Sequence, residues 1–248
     1  MNEVRFDITD STNLRAKEVG NKGVSADTLF IADKQTAGVG RRGRSWESPA
    51  EGNIYMSLLI RPELEPAKAP MLTLVMAVAV AEGILEVCGA DPQIKWPNDI
   101  ILNKKKVCGI LTEMSLEGTG IRYVVIGVGI NVNQIRFSEE LENKATSLAK
   151  ELSKEFVKDD IIKKVVEKFY YYYDKFLETE DLSALKEIYN QMLVNRGREV
   201  IIHEPGNEYV ARAIEIDEQG ELLVETADGK YQNIYAGEVS VRGVYGYV

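Results

Sequence analysis

Cysteine and histidine are scarce in this chain: two cysteines, Cys88 and Cys108, and one histidine, His203, in 248 residues. The cysteines stand too far apart in sequence for a metal-knuckle pair, and two of them make no disulfide framework. A histidine-based triad and a histidine-rich metal site are equally undersupplied, which leaves oxygen-ligated Mg²⁺ as the metal chemistry still open. A secretion signal is missing as well, because MNEVRFDITD is charged from its third residue. No apolar run reaches the ~20 residues that cross a bilayer; the most apolar, MLTLVMAVAVA at 71–81, stops at Glu82 and reads as a buried helix. Net positive charge is absent too. A formal charge of −9 opposes nonspecific nucleic-acid binding, so any anion held here needs a local site. These absences together point to a reducing, cytoplasmic setting with no DNA and no membrane.

The chain that remains is 45% hydrophobic and can bury one large domain or a medium domain plus a small one. VRFDI at 4–8 alternates like a strand, DSTN offers helix caps, and NLRAKEVG reads as a short helix closed by Gly20. TLFIAD and NIYMSLLI (53–60) read as strands, and a long apolar helix runs from Met71 to about Cys88. QIKW, DIILN, VCGILTEM and IRYVVIGVGINVN follow as strands, with NKKK as a hairpin turn. In DDIIKKVVEKFYYYYDKFLE, the positions Ile162, Val165, Val166, Phe169, Tyr173 and Phe176 fall on one helical face. Tyrosines 170–173 are the kind of residue that stacks bases, but a helix spreads consecutive residues around its axis and the core claims one side. From about Arg196 short strands at tight spacing, REVIIHE to EVSVRG, suggest a small barrel. The expected architecture is α+β: a mixed sheet with helices over residues 1–195, then a small C-terminal β-barrel over 196–248.

Charge is concentrated in GVGRRGR, residues 38–44, whose glycines satisfy G-x-G-x-x-G. A dinucleotide turn leads straight into an apolar helix whose N-terminus carries the pyrophosphate. Here SWESPAEGN follows, and Pro49 and Gly52 oppose a helix. Two readings remain: a loop whose glycines let the backbone wrap a ligand while Arg41, Arg42 and Arg44 face its phosphates, or a solvated basic loop. KWPND at 95–99 precedes a hairpin whose return strand carries Lys106. By strict alternation Lys106 and Cys108 share one face, and Val107 and Gly109 the other. Lys104 and Lys105 fall to the turn, Lys106 faces either a site or solvent, and Cys108 reads as a small buried strand residue.

Taken together, DSTN (10–13), KQTAGVGRRGRSW (34–46), KWPND (95–99), KVCGIL (106–111) and IGVGINVN (126–133) resemble biotin-protein ligase in order and approximate spacing, with GEVSVRG near the end. The resemblance covers nearly the whole chain and identifies the small barrel as SH3-like. It implies an enzyme that adenylates biotin with Mg²⁺ and ATP, then transfers biotin to a lysine of a biotin carboxyl carrier protein of a carboxylase. By resemblance Ser11, Thr12 and Gln35 hydrogen-bond the biotin head group, with Asn13, Gly38, Val39, Gly40, Arg41, Lys106 and Gly109 also binding biotin. Arg41, Arg42, Arg44, Trp46, Asn98, Lys106 and Asn131 serve ATP, and Lys106, Arg41 and Asp99 are the catalytic set. Read without the resemblance, Ser11 and Thr12 are helix caps and Asn98, Asp99 and Asn131 turn formers. The family loop usually reads GRGRRGR, so Val39 stands where a further arginine is expected. DSTN begins at Asp10 and leaves no room for the N-terminal helix-turn-helix of the repressor forms, so a ligase without a repressor role is expected unless the chain is a piece of a longer one. A homodimer formed through the large sheet is a further implication of the resemblance. The rivals are lipoate-protein ligase, with the same adenylation logic, and a noncatalytic nucleotide- or protein-binding module.

Overall fold

The computed structural model describes residues 1–50, 52–204, 206–236 and 240–243. Its first sheet contains β1 (Asn2–Thr9), β2 (Thr28–Gln35), β3 (Ile54–Ile60), β4 (Gln93–Lys95), β5 (Asp99–Leu102), β6 (Lys105–Glu117) and β7 (Gly120–Ile130). Across the sheet they run β1-β2-β3-β7-β6-β5-β4. Only β1 and β2 are parallel, and the crossover this needs is α1 (Thr12–Asn21). The sheet is therefore mixed, as expected.

Alternation along β3 and β7 assigns the two faces. Ile54, Met56, Leu58 and Ile60, with Val124, Ile126, Val128 and Ile130, enter the main core. Covering that face are α2 (Leu72–Cys88) and, behind it, α4 (Lys158–Thr179), with α3 (Leu148–Leu152) and α5 (Lys186–Met192) completing the layer. With the 3-10 turn Pro66–Met71 ahead of it, α2 is long and apolar enough by composition to span a membrane. Most of its apolar residues are instead buried between sheet and α4, as a core helix requires, with Leu85 left exposed. On α4 the buried face is Ile161, Ile162, Val165, Phe169, Tyr172, Tyr173 and Phe176, with Val166 partly buried. Tyr171 is exposed and Tyr170 hydrogen-bonds to Asp27, so the tyrosine run forms no stacking platform.

The opposite face is smaller. There Ala16 of α1 packs with Phe30, Leu59, Tyr123 and Val125. Gly20 does not end α1, which continues to Asn21. It lies against the Tyr123 ring, where a Cβ would come within 2.8 Å, so the residue serves close approach and not chain reversal.

Two expectations around Lys106 are also corrected. The hairpin turn is Asn103-Lys104, both at positive φ, and Lys105 already belongs to β6. The partner of Ile100 is Cys108 and that of Ile101 is Lys106, so Val107 is an extra residue in a bulge. The bulge breaks alternation: Val107 and Cys108 both enter the core, while the Lys106 ammonium lies beside Gly109. Cys108 is fully buried, which pushes its thiol pKa up, as suits a packing residue.

A second sheet, antiparallel throughout, holds β8 (Glu199–Glu204), β9 (Asn207–Ile216), β10 (Leu222–Thr226), β11 (Tyr231–Ile234) and β12 (Ser240–Gly243) in the order β11-β10-β9-β8-β12. This is the expected SH3-like unit; residues 237–239 of GEVSVRG lie outside the described residues. Its core joins the main one through Val200, Ile202, Ala213 and Leu222. Trp96 Nε1 donates to the Gly220 carbonyl at 2.9 Å, and Asn190 exchanges hydrogen bonds with the Ile216 backbone.

Candidate functional site

The α1 face of the sheet changes character along β7. Tyr123 and Val125 are apolar beneath the body of α1, but Gly127 and Gly129 follow at the same parity. Gly129 pairs with Gly109 of β6, and Gly127 with Ser57 of β3. Ahead of the α1 N-terminus the sheet thus has a floor of small residues.

Polar side chains ring that floor. Thr12 N–H donates to Gln35 Oε1 at 2.8 Å, which fixes the Gln35 amide; Gln35 Nε2 then donates to Ser48 Oγ at 3.0 Å. Ser57 Oγ lies 2.7 Å from Thr12 Oγ1 and 2.5 Å from Asn13 Oδ1. Asn13 Nδ2 donates to Glu113 at 2.8 Å, and Lys17 Nζ pairs with the other Glu113 oxygen at 2.5 Å. A Cβ on Gly127 would fall 2.2 Å from Asn13 Oδ1, so glycine there is a condition of the network.

A cavity of about 50 Å³ opens beside these groups, roughly the space of one or two waters. It is this small because the Trp46 ring lies on the floor, where a Cβ on Gly129 would come within 2.5 Å of Trp46 Nε1. Among the described residues Trp46 Nε1 is buried without a hydrogen-bond partner.

The arginine loop forms the outer wall. Arg41–Gly43 makes one 3-10 turn, and Arg42 takes φ 58° within it. Arg41 reaches inward: Nη1 donates to Asn98 Oδ1 at 2.9 Å and Nη2 to the Ala236 carbonyl at 2.6 Å, tying the loop to KWPND and to the turn that follows β11. Burial, reinforced by Arg42 and Arg44 and opposed by Asp99, lowers the pKa of Arg41 from the ordinary arginine value. Lys106 Nζ pairs with Asp99 Oδ1 at 2.6 Å and stands 5.1 Å from the Trp46 ring centroid. A cleft of about 660 Å³ extends from here past Arg42, Arg44, Asn131 and Lys144. It is large enough for a small-molecule ligand.

The residues singled out from sequence thus converge. Ser11, Thr12, Asn13, Gln35, Val39 and Gly109 line the small cavity alone. Arg42, Arg44, Asp99 and Asn131 line the larger cleft and not the small cavity, and Gly40, Arg41, Trp46, Asn98 and Lys106 line both. Gly38 lines neither; it stands behind the wall, its carbonyl accepting from Trp46 N–H. Ser11 precedes α1 but makes no side-chain cap bond, and Asn131 donates to the Thr146 carbonyl. Sequence reasoning missed Ser57, Glu113 and the floor glycines Gly127 and Gly129. Ser57 carried a signal, a lone polar residue in the apolar strand IYMSLLI, and so did the alternating glycines of IGVGI; Glu113 carried none.

Residues 5–131 match the model of the biotin/lipoate A/B protein ligase family, and residues 197–242 that of the biotin protein ligase C-terminal domain. The bifunctional ligase/repressor BirA of Bacillus subtilis is 38% identical over 240 residues, covering 96% of this chain and 73% of that protein. The biotin–[acetyl-CoA-carboxylase] ligase of Paracoccus denitrificans is 43% identical over 126 residues, half of this chain and 52% of that protein. The biotin protein ligase of Aquifex aeolicus, solved in complex with biotin and ATP, superposes with a TM-score of 0.85 at 31% identity, covering 98% of this chain and 99% of that one.

Proposed function

This chain belongs to the biotin/lipoate A/B protein ligase family, and from that premise we propose how its two cavities divide the work of an ATP-dependent biotin–protein ligase. The enzyme forms biotinyl-5'-AMP from biotin and ATP and then passes biotin to a protein. The observation that carries the division is the set of residues common to both cavities: Gly40, Arg41, Trp46, Asn98 and Lys106. Whatever enters the small cavity meets there whatever fills the cleft.

The small, polar-ringed cavity takes the biotin head group against Thr12 and Gln35, with Asn13 committed behind them to Glu113 and Ser57. At about 50 Å³ it is too small for that group, so the loop that carries Trp46 must move before the ligand is seated. The biotin carboxylate then points to the junction, and the cleft takes ATP with its phosphates toward Arg41, Arg42 and Arg44. In the first step a carboxylate oxygen forms a bond to the α-phosphorus while the bond to pyrophosphate breaks. Two anions approach each other, so the site must hold cations where charge accumulates. Lys106 and Arg41 stand at that point. Among the described residues no group of three or more His, Cys, Asp or Glu could hold a metal ion; Mg²⁺ arrives as the ATP complex.

In the second step an amine of the acceptor attacks the acyl carbon, the C–O bond to AMP breaks, and the amine proton passes to Asp99, which lies next to the Lys106 ammonium. The acceptor is the lysine of a biotin carboxyl carrier domain. Residues 1–195 hold the chemistry in this reading, and 196–248 contribute the Ala236 carbonyl that holds Arg41. A cytoplasmic setting is supported by two cysteines that are buried and free.

The test is mass spectrometry of the protein after incubation with Mg-ATP and either biotin or lipoate, with pyrophosphate assayed in parallel. Biotinyl-adenylate with equimolar pyrophosphate is expected; lipoyl-adenylate alone, or neither product, overturns the assignment.

A further inference from the structure

We infer that Glu113, outside both cavities, is a positioning residue that sets the hydrogen-bond polarity of the head-group pocket, making Thr12 an acceptor for a ligand N–H. The inference rests on the biotin reading above and deepens it.

One chain of side chains runs from Glu113 to Thr12, and each link holds a countable number of protons. A carboxylate paired with an ammonium, as Glu113 is with Lys17, offers only acceptors. The amide group of Asn13 facing it at 2.8 Å is therefore the NH₂, and the oxygen Oδ1 is turned toward Ser57. That oxygen can only accept, so it takes the single hydroxyl proton of Ser57 across 2.5 Å. Ser57 Oγ, its proton committed, can only accept from Thr12 at 2.7 Å. The other neighbour of Thr12 Oγ1, Gln35 Oε1 at 3.1 Å, is also an acceptor, because the Thr12 backbone N–H fixes that end of the Gln35 amide. Both protein neighbours of the Thr12 hydroxyl thus demand its one proton. What it presents to the cavity is a lone pair.

A ureido ring carries two N–H donors, and a pocket wall polarised in this sense accepts one of them. A cyclic disulfide such as that of lipoate has no N–H to offer. Glu113 therefore favours ureido ligands from a distance, touching neither substrate. Its position is not accidental to the sheet: Gly109, Leu111 and Glu113 share one face of β6, and Gly127 leaves the gap through which Asn13 lies between Glu113 and Ser57. The Glu113 carboxylate at one end and the Thr12 backbone N–H at the other decide the orientation of both amides between them.

Glu113→Gln breaks the polarity while keeping size. The new amide can donate, so Asn13 can turn over and Ser57 can give its proton to Thr12; the Thr12 proton then stays directed at Gln35 Oε1, and one of the two lone pairs that the hydroxyl otherwise keeps for a ligand N–H is spent on Ser57. Biotin affinity measured by calorimetry without ATP should fall about 3- to 10-fold, the cost of weakening one neutral hydrogen bond. KM for ATP should stay at the wild-type value. Adding Asn13→Asp restores the original sense: the amide at 113 donates to the new carboxylate, which again takes the Ser57 proton. The double variant should recover most of the lost affinity, an outcome that a merely structural Glu113 does not produce. Wild-type affinity in E113Q, or a double variant that melts like wild type yet binds no better than E113Q, overturns the inference. Failure of the wild-type chain itself to bind biotin overturns the ligase reading beneath it instead.

Discussion

Lys106→Met separates the two roles of the lysine at the cavity junction, because it keeps the aliphatic stem and removes only the ammonium. The pair it breaks, Lys106 Nζ to Asp99 Oδ1 at 2.6 Å, has side chains 23% and 14% exposed. Removing one partner of a fully buried pair costs about 3–5 kcal/mol, mostly for the charge left behind. Here the Arg41 charge still acts on Asp99 and residual solvent screens it. The loss is then about 1–2 kcal/mol, or a fall in Tm of about 2–8 °C for a chain of this size. Adenylation should suffer far more, by ~10²–10³ in rate, since a cation placed where charge develops is lost. Adding Asp99→Asn neutralises the stranded carboxylate. Calorimetry should then show most of the Tm regained, while pyrophosphate release stays at the level of the single variant. If the double variant recovers both, Lys106 serves only to neutralise Asp99, and if Lys106→Met adenylates at the wild-type rate, the junction is not where the reaction occurs.

Other changes probe the wall and floor. Arg41→Gly cuts the ties to Asn98 and Ala236; the opened loop should release biotinyl-adenylate, seen as nonspecific biotinylation of bystander proteins on a streptavidin blot, and retention equal to wild type would argue against the wall. Gly129→Ala places a methyl 2.5 Å from Trp46 Nε1 and so must lift the indole. Biotin binding should weaken about tenfold or more through overpacking, with a red-shifted tryptophan emission in the free protein as the independent sign. Val39→Arg adds a cation at a half-exposed rim position. ATP affinity should rise at low salt and return to the wild-type value at high salt, and a salt-independent gain would point to packing and not charge.

Much of this protein was decided locally. Alternation is enough to assign the faces of β3 and β7, since residues two apart must share a face. The apolar length of α2 and the amphipathic α4 likewise follow from helical spacing alone. The arginine loop was legible because Pro49 and Gly52 forbid the helix a dinucleotide turn would need. Its inward-reaching member was not: among the described residues Arg41 is distinguished from Arg42 and Arg44 by its bonds to Asn98 and Ala236, one 57 and the other 195 positions away. Lys106 shows the limit most plainly. Period-two reasoning grouped it with Cys108, and a bulge opposite β5 turned one into the site and the other into the core. A bulge belongs to the pairing of two strands, and no single strand encodes it. Glu113 and Asn13 stand a hundred positions apart and meet only because β6 lies beside β7 and Gly127 has no side chain. The sequence determined which segments were strand, helix and charged loop, because those depend on neighbours along the chain. The tertiary structure alone decided which polar atoms face one another, because a hydrogen bond is fixed by distance in space and by which partner holds the proton.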